Sequence, residues 1–460
     1  MLTKDQLPSP GELDALHHLH PFTNHKALRA GGARVIVRGE GPYVYDSEGN
    51  RILDGMAGLW TATLGHNRRE LAEAAYAQML ELPFYNTFFK TTHPPVAALA
   101  QKLAQLAPGN LNQVFFSSSG SEANDTAIRL IRHYWALKGE PSRRIIISRR
   151  SAYHGSTIAA GSMGGMTHVH AHSYPLYEGF RHIIDPYWYG ESVEGESPEA
   201  FGLRAARALE EEILAVGPEN VAAFAGEPVQ GAGGVKIPPE TYWPEIQRIV
   251  DKYGILLLAD EVITGFGRLG TWFASEYYGI RPNLISFAKA ATSGYIPLSG
   301  VLVDDRIADA LLAHDDDFHH GYTFSGHPVA CAVALKNLEI MEREGLVPRV
   351  KEFGAPALAA LLAKFEDHPL VGEVRSAGLL GAVELVADKR TRRRFAELGR
   401  VGLICRDHFF REGFIMRAVF DTMVMAPPLI WTQEQFDEAE ILMRRALDLT
   451  LEDVAGELAA

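Results

Sequence analysis

ISFAKAATSGYI, residues 285–296, places a single lysine, Lys289, among Phe, Ala, Ser and Gly, and from Pro282 to Val303 no other residue is charged. A lysine in such a setting either hides its amine or uses it. The run that leads into it, NLISFAK (283–289), has three counterparts: RRIIIS (143–148), VAAFAGEP (221–228) and YGILLLADE (253–261). All four are continuously apolar instead of alternating, as expected of strands buried on both faces of a mainly parallel sheet. The fold class that follows is α/β.

The rest of the chain arranges itself around that sheet. PYVYDSEGNRILDG (42–55) has two short apolar runs about a turn at Ser47–Asn50 and predicts a β-hairpin. After Gly120, the spacing of Ala127, Leu130, Ile131 and Tyr134 predicts one face of a helix. His327-Pro328 opens another helix that stops at Gly345, and Thr432–Gln435 reads as a capping box starting the last long helix. These signals place a large domain at 75–334. A smaller α+β domain is built from both chain ends, 1–74 and 335–460. No internal repeat or low-complexity tract interrupts the pattern.

Bulk properties narrow the function. A length of 460 residues implies more than one core. A net charge of −13 argues against nucleic acid or an anionic membrane as partner. Cys331 and Cys405 are the only cysteines, too few for a disulfide framework or a paired-cysteine zinc site. MLTKDQLPSPGELDAL lacks the apolar core of a signal peptide, and no apolar run approaches the ~18 residues of a membrane span, so a cytoplasmic protein is expected. The basic run KRTRRR (389–394) reads as a solvated helix face.

In open α/β sheets ligands bind beyond the carboxyl ends of strands. Three of the apolar runs end in polar residues: Glu227, Asp260 and Lys289. A buried salt bridge would explain an acid and a lysine there. The alternative is chemical. Burial lowers the pKa of a lysine and makes its amine a nucleophile, the route to a Schiff base. Ala288, Ala290, Ala291 and Gly294 leave room for a flat molecule, and an aspartate nearby could hold a pyridine nitrogen protonated. SSSGSEAND (117–125) supplies Ser and Gly where a helix begins, which suits either a phosphate or simple capping.

Taken together, FSSSGSEANDTAIRLIRHYW (116–135), AYHGST (152–157), GEPVQGAGG (226–234), LLADEVITGFGRLG (257–270), FAKAATSGYIPLSG (287–300) and GYTFSGHP (321–328) resemble, in order and spacing, the class III aminotransferases of pyridoxal-phosphate (PLP) fold type I. The resemblance runs from PFTNHKAL (21–28) to MRAVFDTMVMAPPL (416–429), with Ser117-Ser118 and Ala291 as mild departures. It implies PLP bound covalently to Lys289, which also shuttles the proton, and Asp260 paired with the pyridinium nitrogen. Val262 and Tyr153 would hold the two ring faces, and Ser119, Gly120 and Ser121 the phosphate. Thr323 would join the phosphate from a partner subunit, while His154 and Glu227 would lie beside the cofactor.

Within the family the amine:pyruvate (ω-) transaminases are the nearest resemblance. Phe22, Trp60, Phe88, Tyr153, Ala232 and Tyr322 then match the substrate pocket, and Arg417 matches a mobile carboxylate-binding arginine. The implied reaction is ping-pong transfer of an amino group from a primary amine or ω-amino compound to a keto acid, with pyruvate the expected acceptor and (S)-selectivity expected. The implied assembly is a homodimer with interface active sites, a tetramer remaining open. An aminomutase or a decarboxylase using the same parts is the alternative within the fold.

Three motifs are set aside. GFGRLG (265–270) satisfies G-x-G-x-x-G and would suggest an NAD-dependent oxidoreductase, but Glu261–Thr264 separate it from its strand and residues 280–295 hold no acid, so it reads as a loop. HVHAH (168–172) would put three histidines on one side of a strand, and DDDFHH (315–320) is a second candidate. Neither has the spacing of a defined metal motif; each reads as surface loop, and no metal is expected.

Overall fold

The computed structural model describes residues 9–172 and 176–458. At its centre is a seven-stranded sheet: β1 (Gln113–Ser117), β2 (Ile145–Arg149), β3 (Phe180–Ile183), β4 (Val221–Gly226), β5 (Leu256–Asp260), β6 (Leu284–Phe287) and β7 (Ser299–Val303). Their spatial order is β1-β7-β6-β5-β4-β2-β3, with β7 antiparallel to both neighbours and the remaining pairs parallel. Both faces are covered, which is why the runs are apolar throughout. Ala223, Ala225, Leu256 and Leu258 pack towards Ala127, Leu130 and Ile131 of the helix Gly120–Leu137. The alternate residues Phe224 and Leu257 pack towards Phe201, Leu209, Trp243 and Ile246 of the helices Pro198–Val216 and Tyr242–Tyr253.

β4, β5 and β6 are consecutive in the sheet, so Glu227, Asp260 and Lys289 emerge side by side at its carboxyl edge. Lys289 starts the loop that returns antiparallel into β7. That loop turns through left-handed backbone at Lys289 (φ 41°), Ser293 (φ 51°) and Gly294 (φ 77°). Gly294 is required twice over, because a Cβ there would also lie 3.0 Å from Thr61 Oγ1. The loop is tied down on both sides. Ser293 Oγ accepts the Leu64 N–H (2.9 Å), and the buried Asn337, on the helix Pro328–Arg343, donates its amide to the carbonyls of Ala290 (3.0 Å) and Ala291 (3.1 Å).

The predicted hairpin is Tyr43–Asp46 paired with Arg51–Asp54, and Phe414–Ile415 joins it in parallel beside Arg51–Asp54, so one small sheet draws on both ends of the chain. A second sheet consists of Val371–Ala377, Leu380–Leu385, Thr422–Met425 and Arg417–Val419. The predicted helices are Pro328–Arg343, with Gly345 just beyond it at φ 60°, and Gln433–Val454, whose Thr432/Gln435 capping box forms.

Three expectations differ. The run 389–394 is not a helix but a turn closed by the bridge Asp388–Arg393, because Asp388 caps the backbone N–H groups of Arg390 and Thr391. HVHAH is neither strand nor loop but the short helix Thr167–His172, its His170 ring 2.6 Å from the Gly164 carbonyl. β1, β3 and β7 were not foreseen. GFGRLG is a turn, as expected, with Gly267 and Gly270 at positive φ.

Replacing Asn337 by Leu should leave the carbonyls of Ala290 and Ala291 without their donor and cost about 1–3 kcal/mol. Chemical denaturation of the variant against the parent checks this; an unchanged midpoint would mean that the lysine loop stands without it.

Candidate active site

The ends of β4, β5 and β6 and the start of the helix Gly120–Leu137 enclose a cavity of about 520 Å³ that opens to solvent. Its lining joins Gly120, Ser121, Tyr153, His154, Glu227, Asp260, Val262 and Lys289, all eight foreseen from the sequence, with Asn124, Gly155, Ile263 and Ala288.

Asp260 is 4 % exposed. Burial alone would raise its pKa, yet the carboxyl is held below its ordinary value by a ring of donors. Oδ2 lies 2.7 Å from His154 Nδ1 and accepts the Asn124 amide at 2.8 Å, while Oδ1 accepts the Val262 N–H at 3.1 Å. Asn124 also donates to the His154 carbonyl (2.7 Å), which locks helix, loop and strand end together. The carboxylate is therefore ionised, dry and aimed into the cavity.

Glu227 is the contrasting acid. Its oxygens accept only the backbone N–H groups of Tyr153 (3.2 Å) and Gly231 (3.0 Å), and burial with the nearby Asp260 charge pushes its pKa up to about 7. Lys289 moves the other way. Burial lowers its amine to about 8, although Asp260 and Glu227 oppose the change; Arg417 adds to it. An amine at that value is free base in useful amount near neutral pH. Among the described residues it forms no ion pair, which answers the choice between salt bridge and exposed amine.

Ser119 is the N-cap of an 18-residue helix, accepting the Glu122 N–H at 3.2 Å. Two glycines keep the helix start open. A Cβ on Gly120 would lie 3.1 Å from Val262 Cγ1, and Gly155 (φ 142°) passes so near the helix that a Cβ would come 2.7 Å from Ser121 Oγ. Exposed N–H groups and the positive end of the helix dipole make an anion cradle beside the lysine.

Trp60, buried and at φ 59°, stands between two cations. Lys289 Nζ is 5.8 Å and the Arg417 guanidinium 5.1 Å from its ring centroid. Ala232 is buried in the same apolar cluster as Trp60. Phe22 meets Tyr153 edge to face at 6.2 Å while remaining 67 % exposed. Arg417 is half-buried, its pKa lowered by burial against an opposing effect of Tyr153, and it has no carboxylate partner among the described residues.

Phe88, Tyr322 and Thr323 do not line the cavity of this chain, and neither do Ser119, Phe22, Trp60, Ala232 and Arg417. Phe88 packs where a Gly321 Cβ would be (2.7 Å), Tyr322 donates its hydroxyl to the Glu122 carbonyl (3.2 Å), and Thr323 is exposed.

Sequence reasoning assigned no role to Asn124 or Asn337. The signal for Asn124 was present: an amide on the apolar stripe of its helix, beside Ala123, Thr126 and Ala127. Asp14, His18 and His20 also gather their ligand atoms within 4.8 Å of one another, away from the motifs set aside and outside the cavity lining.

The amine value makes a test. With an amine-reactive aldehyde and the cofactor-free protein, labelling of Lys289 should rise through about pH 8. Asp260→Asn removes a charge that raises the lysine, so its profile should shift to lower pH. Peptide mapping across a pH series reads both; a profile centred near 10 would show an amine untouched by burial.

The chain matches the Aminotransferase class-III profile over residues 28–447. It is 54 % identical to the putrescine–pyruvate aminotransferase of Pseudomonas aeruginosa, covering 94 % of each chain. Among solved structures it resembles a thermostable (S)-enantioselective omega-transaminase of Thermomicrobium roseum, with 48 % identity, a TM-score of 0.92 and coverage of 95 % of this chain and 97 % of the other. It also resembles the omega transaminase of Pseudomonas jessenii in complex with PMP, with 42 % identity, a TM-score of 0.94 and coverage of 97 % and 99 %. With the fold, the strand-end carboxylate and the low-pKa lysine in one cavity, the matches establish that this chain belongs to the class III aminotransferases.

Proposed function

We propose that the enzyme moves an amino group from a primary amine, with putrescine-like diamines foremost, to pyruvate, and that Lys289 binds pyridoxal phosphate covalently. The amine–keto acid pairing is supported by the 54 % identity to a putrescine–pyruvate aminotransferase, and (S)-selectivity by the T. roseum neighbour. The observation that carries the reading is the pairing of Lys289, its amine lowered to about 8, with an ionised Asp260 in one cavity. The residues fit the cofactor. A Cβ at Gly120 would narrow the space beside Val262, and the helix N-terminus offers the phosphate its N–H groups.

When bound, the cofactor supplies an electrophilic carbon and a ring that accepts electrons. Asp260, kept charged by His154 and Asn124, would hold a proton on the ring nitrogen. Val262 and Tyr153 would hold the two faces of the ring, and Ser119, Gly120 and Ser121 its phosphate. Lys289 Nζ would anchor the group and, once released by the substrate amine, would as free base take the proton from the substrate carbon and deliver it to the group's electrophilic carbon. Glu227, near half-protonation at neutral pH, orders the Tyr153 and Gly231 backbone around the ring.

Phe22, Trp60, Tyr153 and Ala232 form an apolar wall that excludes water from the reacting carbon, and Arg417 binds the keto-acid carboxylate. A fixed, buried arginine would be unpaired against an apolar amine, a costly state. Arg417 has no carboxylate partner to leave, and Gly413 (φ 83°) shortly precedes its strand. It swings in for the acid and out for the amine.

Thr323, Phe88 and Tyr322 serve the neighbouring subunit's cavity in a homodimer. The support is the bare aromatic surface beside them, with Phe89 91 %, Phe324 57 % and Tyr85 51 % exposed. The sheet shared between the chain ends supports a small domain built from both of them, while the divisions at 74/75 and 334/335 fall inside the helices Arg69–Glu81 and Pro328–Arg343. Among the described residues no helix is long and apolar enough to cross a membrane, and we place the enzyme in the cytoplasm.

Wild-type enzyme supplied with putrescine and pyruvate should release alanine, and Lys289→Ala should lose nearly all turnover; alanine formation by that variant at the parent rate would overturn the assignment. Arg417→Ala should lose about 2–4 kcal/mol in kcat/KM for pyruvate and alanine and little for an aryl-ethylamine. Half-reaction kinetics that fall equally would make Arg417 structural. Sedimentation should find a dimer, and an active monomer at assay concentration would refute the shared site.

A further inference from the structure

A second cavity, of about 580 Å³, lies between residues 189–192 and the turn that carries the basic run. It is lined by Tyr189, Ser192, Glu384, Thr391, Arg392 and Arg394, with Gly190 and Val386. The amino-transfer site uses none of these. The turn divides its cations between two tasks. Lys389 is spent on the fold, donating to the carbonyls of Glu366 (2.5 Å) and His368 (3.2 Å). Arg392 and Arg394 face the cavity, and among the described residues neither meets a carboxylate.

Arg392 is held ready. Its guanidinium lies over the rings of Trp188 (4.5 Å) and Tyr189 (4.8 Å), and Nη1 donates to the Tyr189 carbonyl and to Ser192 Oγ, both at 3.1 Å. Stacking fixes the fork and leaves Nη2 and Nε for a ligand, so little side-chain entropy is lost on binding. Its backbone is left-handed (φ 57°), a cost that a surface arginine needed only for solubility would not require.

Arg394 lies against Gly190, where a Cβ would come 3.1 Å from its Nη2. The Tyr189 hydroxyl is buried without a partner, and burial with the nearby Glu373 and Glu384 pushes it up to about 12, so it remains a donor at any physiological pH. The one carboxylate in the wall, Glu384, is already engaged by Arg375 (3.1 Å) and the Thr422 hydroxyl (2.7 Å) and does not neutralise the pair. In a chain of net charge −13, two forks and two hydroxyls converging on a pocket are a local exception.

We propose that this cavity binds a small oxyanion, with Arg392 and Arg394 as the charged clamp and the Tyr189 and Ser192 hydroxyls as donors. Planar guanidinium forks suit phosphate and carboxylate alike. Inorganic phosphate, malonate and acetate are therefore the probes that separate a phosphate from a dicarboxylate and from a single carboxylate.

The experiment is titration calorimetry on the cofactor-loaded enzyme in phosphate-free buffer, so that the cradle at the helix Gly120–Leu137 is already filled. Phosphate or malonate should bind saturably, one per chain, and acetate far more weakly. Arg394→Gln, an exposed change, should weaken binding at least 10-fold, and Tyr189→Phe, which removes only the hydroxyl, several-fold. Arg390→Gln in the same turn lies outside the cavity and should leave affinity unchanged, while alanine formation stays at the parent rate in all three. Absence of saturable binding, or equal losses in the Arg390 and Arg394 variants, would overturn the site and leave only a diffuse basic surface.

Discussion

The dry carboxylate of Asp260 is the constraint on which the rest of the site depends. A charge at the end of a buried strand is tolerated only if donors replace water, and removing one partner from such a buried pair costs roughly 3–5 kcal/mol. The three donors come from separate parts of the chain: Asn124 from the helix after β1, His154 from the loop after β2, and the Val262 backbone from the turn after β5. Satisfying one acid therefore fixes the roll of the helix Gly120–Leu137, and with it the direction of its N-terminus. The anion cradle at the helix start and the buried carboxylate are set by one hydrogen-bond network.

Lys289 shows the same economy in backbone terms. Its left-handed φ of 41° is a strained conformation for a residue with a side chain, typically costing about 1–3 kcal/mol. The Leu64 N–H and Asn337 grip the loop from the N-terminal segment and from the helix Pro328–Arg343, so the strain is offset by contacts remote from the chemistry. The result is an amine presented upright between Asp260 and Trp60 without an ion pair to quench it.

What was legible in the sequence follows from which interactions are local. The four strands β2, β4, β5 and β6 announced themselves because burial on both faces leaves at most a serine inside the run and no charge before its end. β1 and β3, at the sheet's edges, keep polar or half-buried positions, and β7 follows a glycine-rich turn, so their patterns are weaker. Asp260, Glu227 and Lys289 were readable as polar punctuation at strand ends. Asn124 and Asn337 were not, since an amide on a helix reveals its partner only when the helix is docked. The basic run misled because a charge pattern does not distinguish a helix face from a turn; Asp388 decides it by capping the backbone locally.

The small sheet has a consequence for how the chain is made. Arg51–Asp54 acquires its parallel neighbour only from Phe414–Ile415, so the N-terminal hairpin leaves the ribosome with an edge that has no partner until nearly the whole polypeptide has been synthesised. At ~5–20 residues per second that interval lasts tens of seconds, long enough for an unpaired strand to find another nascent chain. Exchanging Arg51–Asp54 without Phe414–Ile415, or the reverse, would alter one side of a single strand pair.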